Sequence, residues 1–360
     1  MERFSCETTV ISGEGALAAL AEQAGKRLLV VTQGRQDSGS ITQRIRGILH
    51  AEAAACFDGV TPEPTMGQAV AGAKQIKDFC PDVVVAYGGS HVTDCAKAMV
   101  CFSGKTCDLV AVPTAAGSGA EVTGRVALCH DNRWHTLQDR AMRPKLAILD
   151  SSLLTDIPAA AVAEGGFEIL ANSLESYSGK NAGVLSGLHA REGFVAAWGA
   201  LPAAFAGKQA ARGRLQAAAV MTGIAYDRTG MGLCHALSES IGIVFHLPRG
   251  HLAGILLPAV VACNAHAAGR RLAELARAAG MGGSNDAAGV RNLKTALIRL
   301  RRELGMPSTL AQAGVNPRWV WSNAKRIVEL TLENPECRNN PVTVDDFLVR
   351  RILEETAGHY

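Results

Sequence analysis

An α/β domain with a Rossmann-like parallel sheet, followed by an all-α domain, is the fold class this sequence predicts, and three observations carry it. Short β-branched apolar runs alternate with helical patterns up to about residue 155. That alternation then stops, and Ala, Leu and Arg recur at helical spacing through the rest of the chain. The 360 residues, 48% of them hydrophobic, exceed one ordinary core and suffice for two. The boundary falls near Pro158, giving an α/β domain over 1–158 and a helical domain over 159–360.

The first strand signal is ETTVISG (7–13), an edge strand able to pair between subunits of a homodimer or higher homo-oligomer. RLLVVT (27–32), AAACFD, DVVVA (82–86), LVAV (109–112) and LAILD (146–150) are apolar without alternation, as parallel strands covered on both faces are. Ser40 with Gln43 reads as a capping box opening a helix that runs to about His50. Thr65, following Pro62 and Pro64, reads as the N-cap of a helix over Met66–Phe79. In the second half, helix breaks are expected at Gly166, Gly179, Gly230 and Pro248.

Charged residues make up 19% of the chain and the net charge is +3, with no basic block to follow a phosphate backbone or an anionic membrane. Nucleic acid and membrane are therefore excluded as expected partners. MERFSCETTVISGEG has no apolar signal core, and no later apolar run approaches the roughly 18 residues of a membrane span. A cytoplasmic protein is expected. The ten cysteines form no CxxC pair and read as reduced, mostly buried small hydrophobes.

Directly after DVVVA comes Tyr87-Gly88-Gly89-Ser90-His91-Val92-Thr93-Asp94-Cys95-Ala96-Lys97, a glycine turn opening into a helix. Glycines let backbone N–H groups approach a pyrophosphate, and the helix start adds donors and a positive dipole end. A second small-residue turn, Thr114-Ala115-Ala116-Gly117-Ser118-Gly119, follows the next strand. Two such loops at the carboxyl ends of adjacent parallel strands are where nucleotides bind.

These loops resemble the GGGSxxDxAK and PTTAGTGSEVT signatures of the iron-containing (group III) alcohol dehydrogenase family. CFDGVTPEPT (56–65), MRPKLAILD (142–150), GMGLCHALSESIG (230–242), LAGILLP (252–258) and NNPVTVDDFLVRRIL (339–353) extend the likeness over essentially the whole chain. The resemblance implies that Gly88, Gly89 and Ser90 hold the pyrophosphate of NAD(P)H, that Asp94 and Lys97 order the loop and helix, and that Thr114, Ala115 and Ser118 line the nicotinamide ribose. His91 stands where the family commonly has Ser or Lys. NAD-preferring members often carry an acid after the strand Thr, but here it is Gln33. With no carboxylate to repel a 2′-phosphate and Arg35 close by, NADPH is tolerated or preferred, unless Arg35 is only a solvated loop charge.

In the family a divalent metal is held by an Asp, a His four residues later, and two further His. The corresponding positions here are Glu168, Asn172, His235 and Arg249. One His survives. A guanidinium has no lone pair to donate, stays protonated and is repelled by a dication, so metal binding is expected to be weak or absent, with Glu168, Asn172 and His235 left as three ligands in principle. Arg249, with Glu168 as ion-pair partner, stands where the ion would sit, either polarising a substrate carbonyl or clamping a substrate carboxylate. A structural polar cluster is the alternative. Maleylacetate reductases of the same superfamily also depart from the metal-ligand set.

Carbonyl reduction needs a hydride, alkoxide stabilisation and a proton donor. His235 is the candidate donor, and Glu239, where the family usually has a second His, either orients it or carries protons itself. Arg125, Arg228 and Arg249 suggest an anionic aldehyde or ketone substrate, reduced to the alcohol at a cleft between the domains. Two other readings stay open: a redox-neutral lyase or synthase of the dehydroquinate synthase type, and a catalytically silent nucleotide-binding paralogue.

Overall fold

The computed structural model describes residues 2, 4–23, 27–34 and 37–358. They form two compact units, one from Ser5 to Ile157 and one from Pro158 onward that also takes in Glu2 and Phe4. The α/β unit contains β1 (Thr9–Gly13), β2 (Leu28–Gln33), α1 (Ser38–Leu49), β3 (Ala54–Val60), α2 (Met66–Phe79), β4 (Val83–Gly88), α3 (Ser90–Ser103), β5 (Asp108–Pro113), β6 (Arg125–His130), β7 (Arg133–Gln138) and β8 (Leu146–Asp150). Six strands make a parallel sheet in the order β1-β8-β5-β4-β2-β3, with β1 at one edge.

Both faces of that sheet are covered, which is why its strands do not alternate. Leu28, Val30, Val83, Val85, Val110 and Ile148 pack with Leu17 and Leu20 and with Ile45 and Leu49 of α1. Leu29, Val31, Val84 and Ala86 pack on the other side with Ile76 of α2 and with Val92 and Met99 of α3. Burial of this kind pushes the Cys95 thiol up to about 12, so it stays protonated as a small hydrophobe.

Two local expectations are corrected, and one element adds to them. The Thr65–Gln68 capping box opens α2, but Ser40–Gln43 is not a box. There α1 starts at Ser38, whose hydroxyl donates to Asp58 Oδ2 of β3 at 3.1 Å, and Ser40 Oγ bonds back to the Asp37 carbonyl from inside the first turn. The antiparallel β6–β7 hairpin was not foreseen. Its turn residues Asp131 and Asn132 take φ of 51° and 54°, the left-handed region that Asp and Asn tolerate better than other non-glycine residues. Gly166 does not break a helix; it lies inside α4, where a Cβ would collide with Leu201.

The helical unit runs α4 (Ala159–Ser178), α5 (Val184–Phe205), α6 (Gln209–Thr229), α7 (Leu233–Phe245), α8 (Arg249–Ala278), α9 (Asp286–Glu303), α10 (Pro317–Ser322), α11 (Ala324–Glu333) and α12 (Asp346–Ala357). Gly179, Gly230 and Pro248 do stand at helix ends. Contrary to expectation, α8 is long and apolar enough to cross a bilayer, yet 67% of its most apolar window is buried. It packs against α4, α7 and α9 as a core helix.

Candidate active site

In the α/β unit the two small-residue loops meet at the carboxyl ends of β4 and β5. β4 ends at Gly88, Gly89 is the N-cap of α3 and Ser90 its first residue. The first-turn N–H groups of a helix have no acceptor inside it, so α3 presents donors and its positive dipole end there. Thr114 N–H donates to the Gly88 carbonyl at 3.0 Å, tying the second loop to the first. After Ala115, Ser118 Oγ accepts from Ala120 N–H at 3.1 Å and starts a helical turn over Ala120–Val122.

Beneath the loops Lys97 is completely buried. Its Nζ donates to Thr123 Oγ1 and to the Arg125 carbonyl, both at 3.0 Å, and lies 3.6 Å from Asp94 Oδ1. Asp94 Oδ2 in turn accepts from Ala127 N–H at 3.3 Å. This pair pins α3 to the start of β6. Gln33, the last residue of β2, meets His91 at 2.8 Å. Arg125 donates to Gln138 on its own hairpin at 3.2 Å, and Arg35 lies outside the described residues.

In the helical unit a chain of charges links α4, α7 and α8. Arg249 Nη2 lies 3.5 Å from Glu168 Oε1, and Arg249 Nη1 lies 3.4 Å from Glu239 Oε1. His235 Nε2 stands 3.1 Å from the same Glu239 oxygen, one turn away on α7. Asn334, at the end of α11, donates to Glu239 Oε2 at 2.8 Å. Burial alone would raise the Glu239 pKa, but His235, Arg249 and the Asn334 amide together bring it down to about 2. Gly250 makes the approach possible: a Cβ there would overlap the Glu164 backbone, so only glycine lets the start of α8 press onto α4 beside Glu168.

Glu175, further along α4, accepts from the N–H groups of Gly232 (3.0 Å), Cys234 (2.5 Å) and His235 (3.2 Å) and so caps α7. Burial outweighs those bonds and the nearby His235, pushing Glu175 up to about 7. His251 pairs with Glu164 at 3.1 Å. Asn172 is buried and makes no side-chain hydrogen bond among the described residues. Arg228 is an exposed residue in the last turn of α6, and among the described residues no ion pair or hydrogen bond joins it to the cluster.

The description of iron-containing alcohol dehydrogenases matches residues 7–151, and that of the C-terminal region of the Fe-containing alcohol dehydrogenase family matches residues 162–357. The chain belongs to the iron-containing alcohol dehydrogenase family. A 1-propanol dehydrogenase of Citrobacter freundii is 30% identical to it, over 99% of this chain and 100% of its own. The solved iron-containing alcohol dehydrogenase of Thermococcus thioreducens shares the fold with a TM-score of 0.89 and 26% identity, covering 98% and 99% of the two chains. A sulfoacetaldehyde reductase from Bifidobacterium kashiwanohense, solved with NAD+, has a TM-score of 0.85 at 23% identity, covering 99% of each. This alcohol dehydrogenase family member is an NAD(P)-dependent oxidoreductase acting on alcohols or aldehydes.

Within the family framework, Glu168, His235 and Arg249 come together, joined by Glu239. Among the described residues no three His, Cys, Asp or Glu side chains are placed to hold a metal ion. Sequence reasoning missed Asn334 and Glu175. Glu175 had a readable signal, because 168, 172 and 175 share one helical face. Asn334 had none, since only the tertiary fold brings the end of α11 to α7.

Proposed function

We propose that this enzyme reduces an aldehyde or ketone to the alcohol without a divalent metal, with Arg249 as the cation that polarises the carbonyl. The observation that carries this reading is the Arg249 guanidinium placed between Glu168 and Glu239. The family's donor set does not fit here. A guanidinium at one of four ligand positions offers no lone pair, and its fixed charge opposes an ion a few ångströms away. Glu168 and Glu239, which could have served a metal, are already neutralised by it.

The reduced nicotinamide, when bound, supplies the hydride. Arg249 stabilises the developing alkoxide, and His235, held by Glu239, gives the proton. Because two carboxylates already share Arg249, it suits a carbonyl oxygen better than a third carboxylate. Arg228 is exposed and joined to no member of the Arg249 cluster among the described residues, and Arg125 donates to Gln138 on its own hairpin, so neither carries a reading of the substrate's charge. Gly88, Gly89, Ser90, Thr114, Ala115 and Ser118 form the nucleotide cradle, and the exposed edge of β1 suits pairing in a homo-oligomer.

Steady-state reduction of neutral and acidic carbonyl compounds by wild type and Arg249→Ala tests this. Loss of the guanidinium should lower kcat by about 10²–10³, the usual effect of removing an oxyanion donor. A variant within twofold of wild type on every substrate the enzyme turns over contradicts the assignment.

A further inference from the structure

We propose that the segment 334–340 is a positioning clamp for His235, gripping it through both its main chain and its ring. This rests on the reading of His235 as the proton donor. NNPV (339–342), at the end of the segment, is the motif that the nucleotide cradle and the charge cluster leave without a role.

The main-chain grip acts on the loop 230–232, which joins α6 to α7, and on the first turn of α7. Five consecutive N–H groups, those of residues 231 to 235, each donate to a buried side chain. Glu175 takes three of them. The other two go to the segment: Met231 N–H to Glu336 Oε2 at 2.6 Å and Leu233 N–H to Asn340 Oδ1 at 3.4 Å. Asn339 holds the loop by its other polarity, donating from Nδ2 to the Met231 carbonyl at 2.7 Å. Gly230 takes a φ of 77°, and a Cβ there would stand 2.9 Å from Glu336 Oε2, so glycine lets the carboxylate press against the loop. The first N–H groups of a helix have no acceptor inside it, so the start of α7 is set by these side chains.

The ring is gripped through Asn334. Its Oδ1 accepts from Glu336 N–H at 3.0 Å, while its Nδ2 donates to Glu239 Oε2 at 2.8 Å. Glu239 Oε1 stands 3.1 Å from His235 Nε2. The segment is itself anchored. Asn339 Oδ1 accepts from Asn181 N–H at 2.8 Å, between α4 and α5, and Asn340 exchanges two bonds with Asn264 of α8 at 2.9 and 3.0 Å. The clamp is thus tied to α8, which carries Arg249, and to the end of α4, which carries Glu168. It fixes where the imidazole stands and which way it points, and a misplacement of about 1 Å at a reacting group costs on the order of 10²-fold in rate.

Steady-state kinetics on the carbonyl compound that wild type reduces fastest, with kcat counted per nucleotide-binding site, test the clamp. Glu336→Ala removes the acceptor from Met231 N–H, and kcat should fall roughly 10–100-fold with KM and nucleotide affinity within about threefold. Glu336→Gln keeps an acceptor oxygen and should return kcat to within about threefold of wild type. The solvent deuterium isotope effect on kcat should rise in Glu336→Ala, because proton delivery becomes the slow step. Asn339→Asp loses the donor to the Met231 carbonyl but keeps the acceptor for Asn181; it should show the same signature, and it decides the matter if Glu336→Ala does not fold. A purely structural role would lower the melting temperature and leave kcat per site and the isotope effect at wild-type values, which overturns the proposal. If His235→Ala is slow while Glu336→Ala and Asn339→Asp keep the wild-type rate, the clamp alone fails. If His235→Ala itself keeps the wild-type rate, the donor reading fails and the clamp with it.

Discussion

The loop region of the α/β unit and the charge cluster of the helical unit are both built from buried polar groups, but they solve opposite problems. Around Gly88 and Thr114 the polar groups are backbone N–H donors, and the one buried cation, Lys97, is spent on holding α3 to β6 through Thr123 and the Arg125 carbonyl. Around Arg249 they are side chains paired with one another: Glu168 with Arg249, and Glu239 with Arg249, His235 and Asn334. The first region is a scaffold that leaves donors for a ligand. The second is an ion network that ties α4, α7 and α8 together. Substitutions in one should leave the readout of the other unchanged.

The largest effect is expected at Glu239. Glu239→Ala strips the partner from His235, Arg249 and Asn334 at once, and kcat should fall by about 10²–10⁴, while NADPH affinity by fluorescence titration stays within about twofold. A parallel loss of nucleotide binding would erase the contrast.

Next in size is the pH dependence of stability. Glu239, at about 2 against an ordinary 4.5, contributes stability present above 4.5 and lost as pH falls toward 2, an upper bound on the order of 3 kcal/mol. Glu175 has the opposite sign. Its folded-state pKa of about 7 means that the native state keeps a proton the unfolded chain releases, so stability declines as pH rises from 4.5 to 7. Urea midpoints should show Glu239→Gln flattening the acid limb and Glu175→Gln flattening the interval between 4.5 and 7. Lys97→Met comes third. It removes the cation beside buried Asp94 and the Nζ donor to Thr123 Oγ1 and the Arg125 carbonyl, costing about 1–3 kcal/mol and weakening nucleotide binding, with kcat at saturating cofactor little changed. Asn334→Ala should be smallest, a fall in kcat of about tenfold or less with no shift in nucleotide affinity.

The same contrast explains what the sequence revealed. Strand positions, the Thr65 cap and the two loops were legible because parallel strands and helix starts are local patterns of a few residues. Glu168, His235 and Arg249 were legible only through family resemblance, since 67 residues separate Glu168 from His235. Gly166 was misread because a glycine that breaks a helix and one that lets two helices touch look alike in one dimension. The Ser40 box failed for a tertiary reason, the hold of Asp58 on Ser38. Asn334 could not be seen at all.

The central claim is that Arg249 stands in for a metal, and elemental analysis of wild type and Arg249→His, each purified with iron or zinc present, tests it most directly. The substitution restores an imidazole beside His235 and Glu168. Wild type should retain well under one equivalent of metal and turn over unchanged after chelation, whereas Arg249→His should hold about one equivalent. A stoichiometric ion in wild type, whose removal abolishes turnover and whose return restores it, would contradict the account.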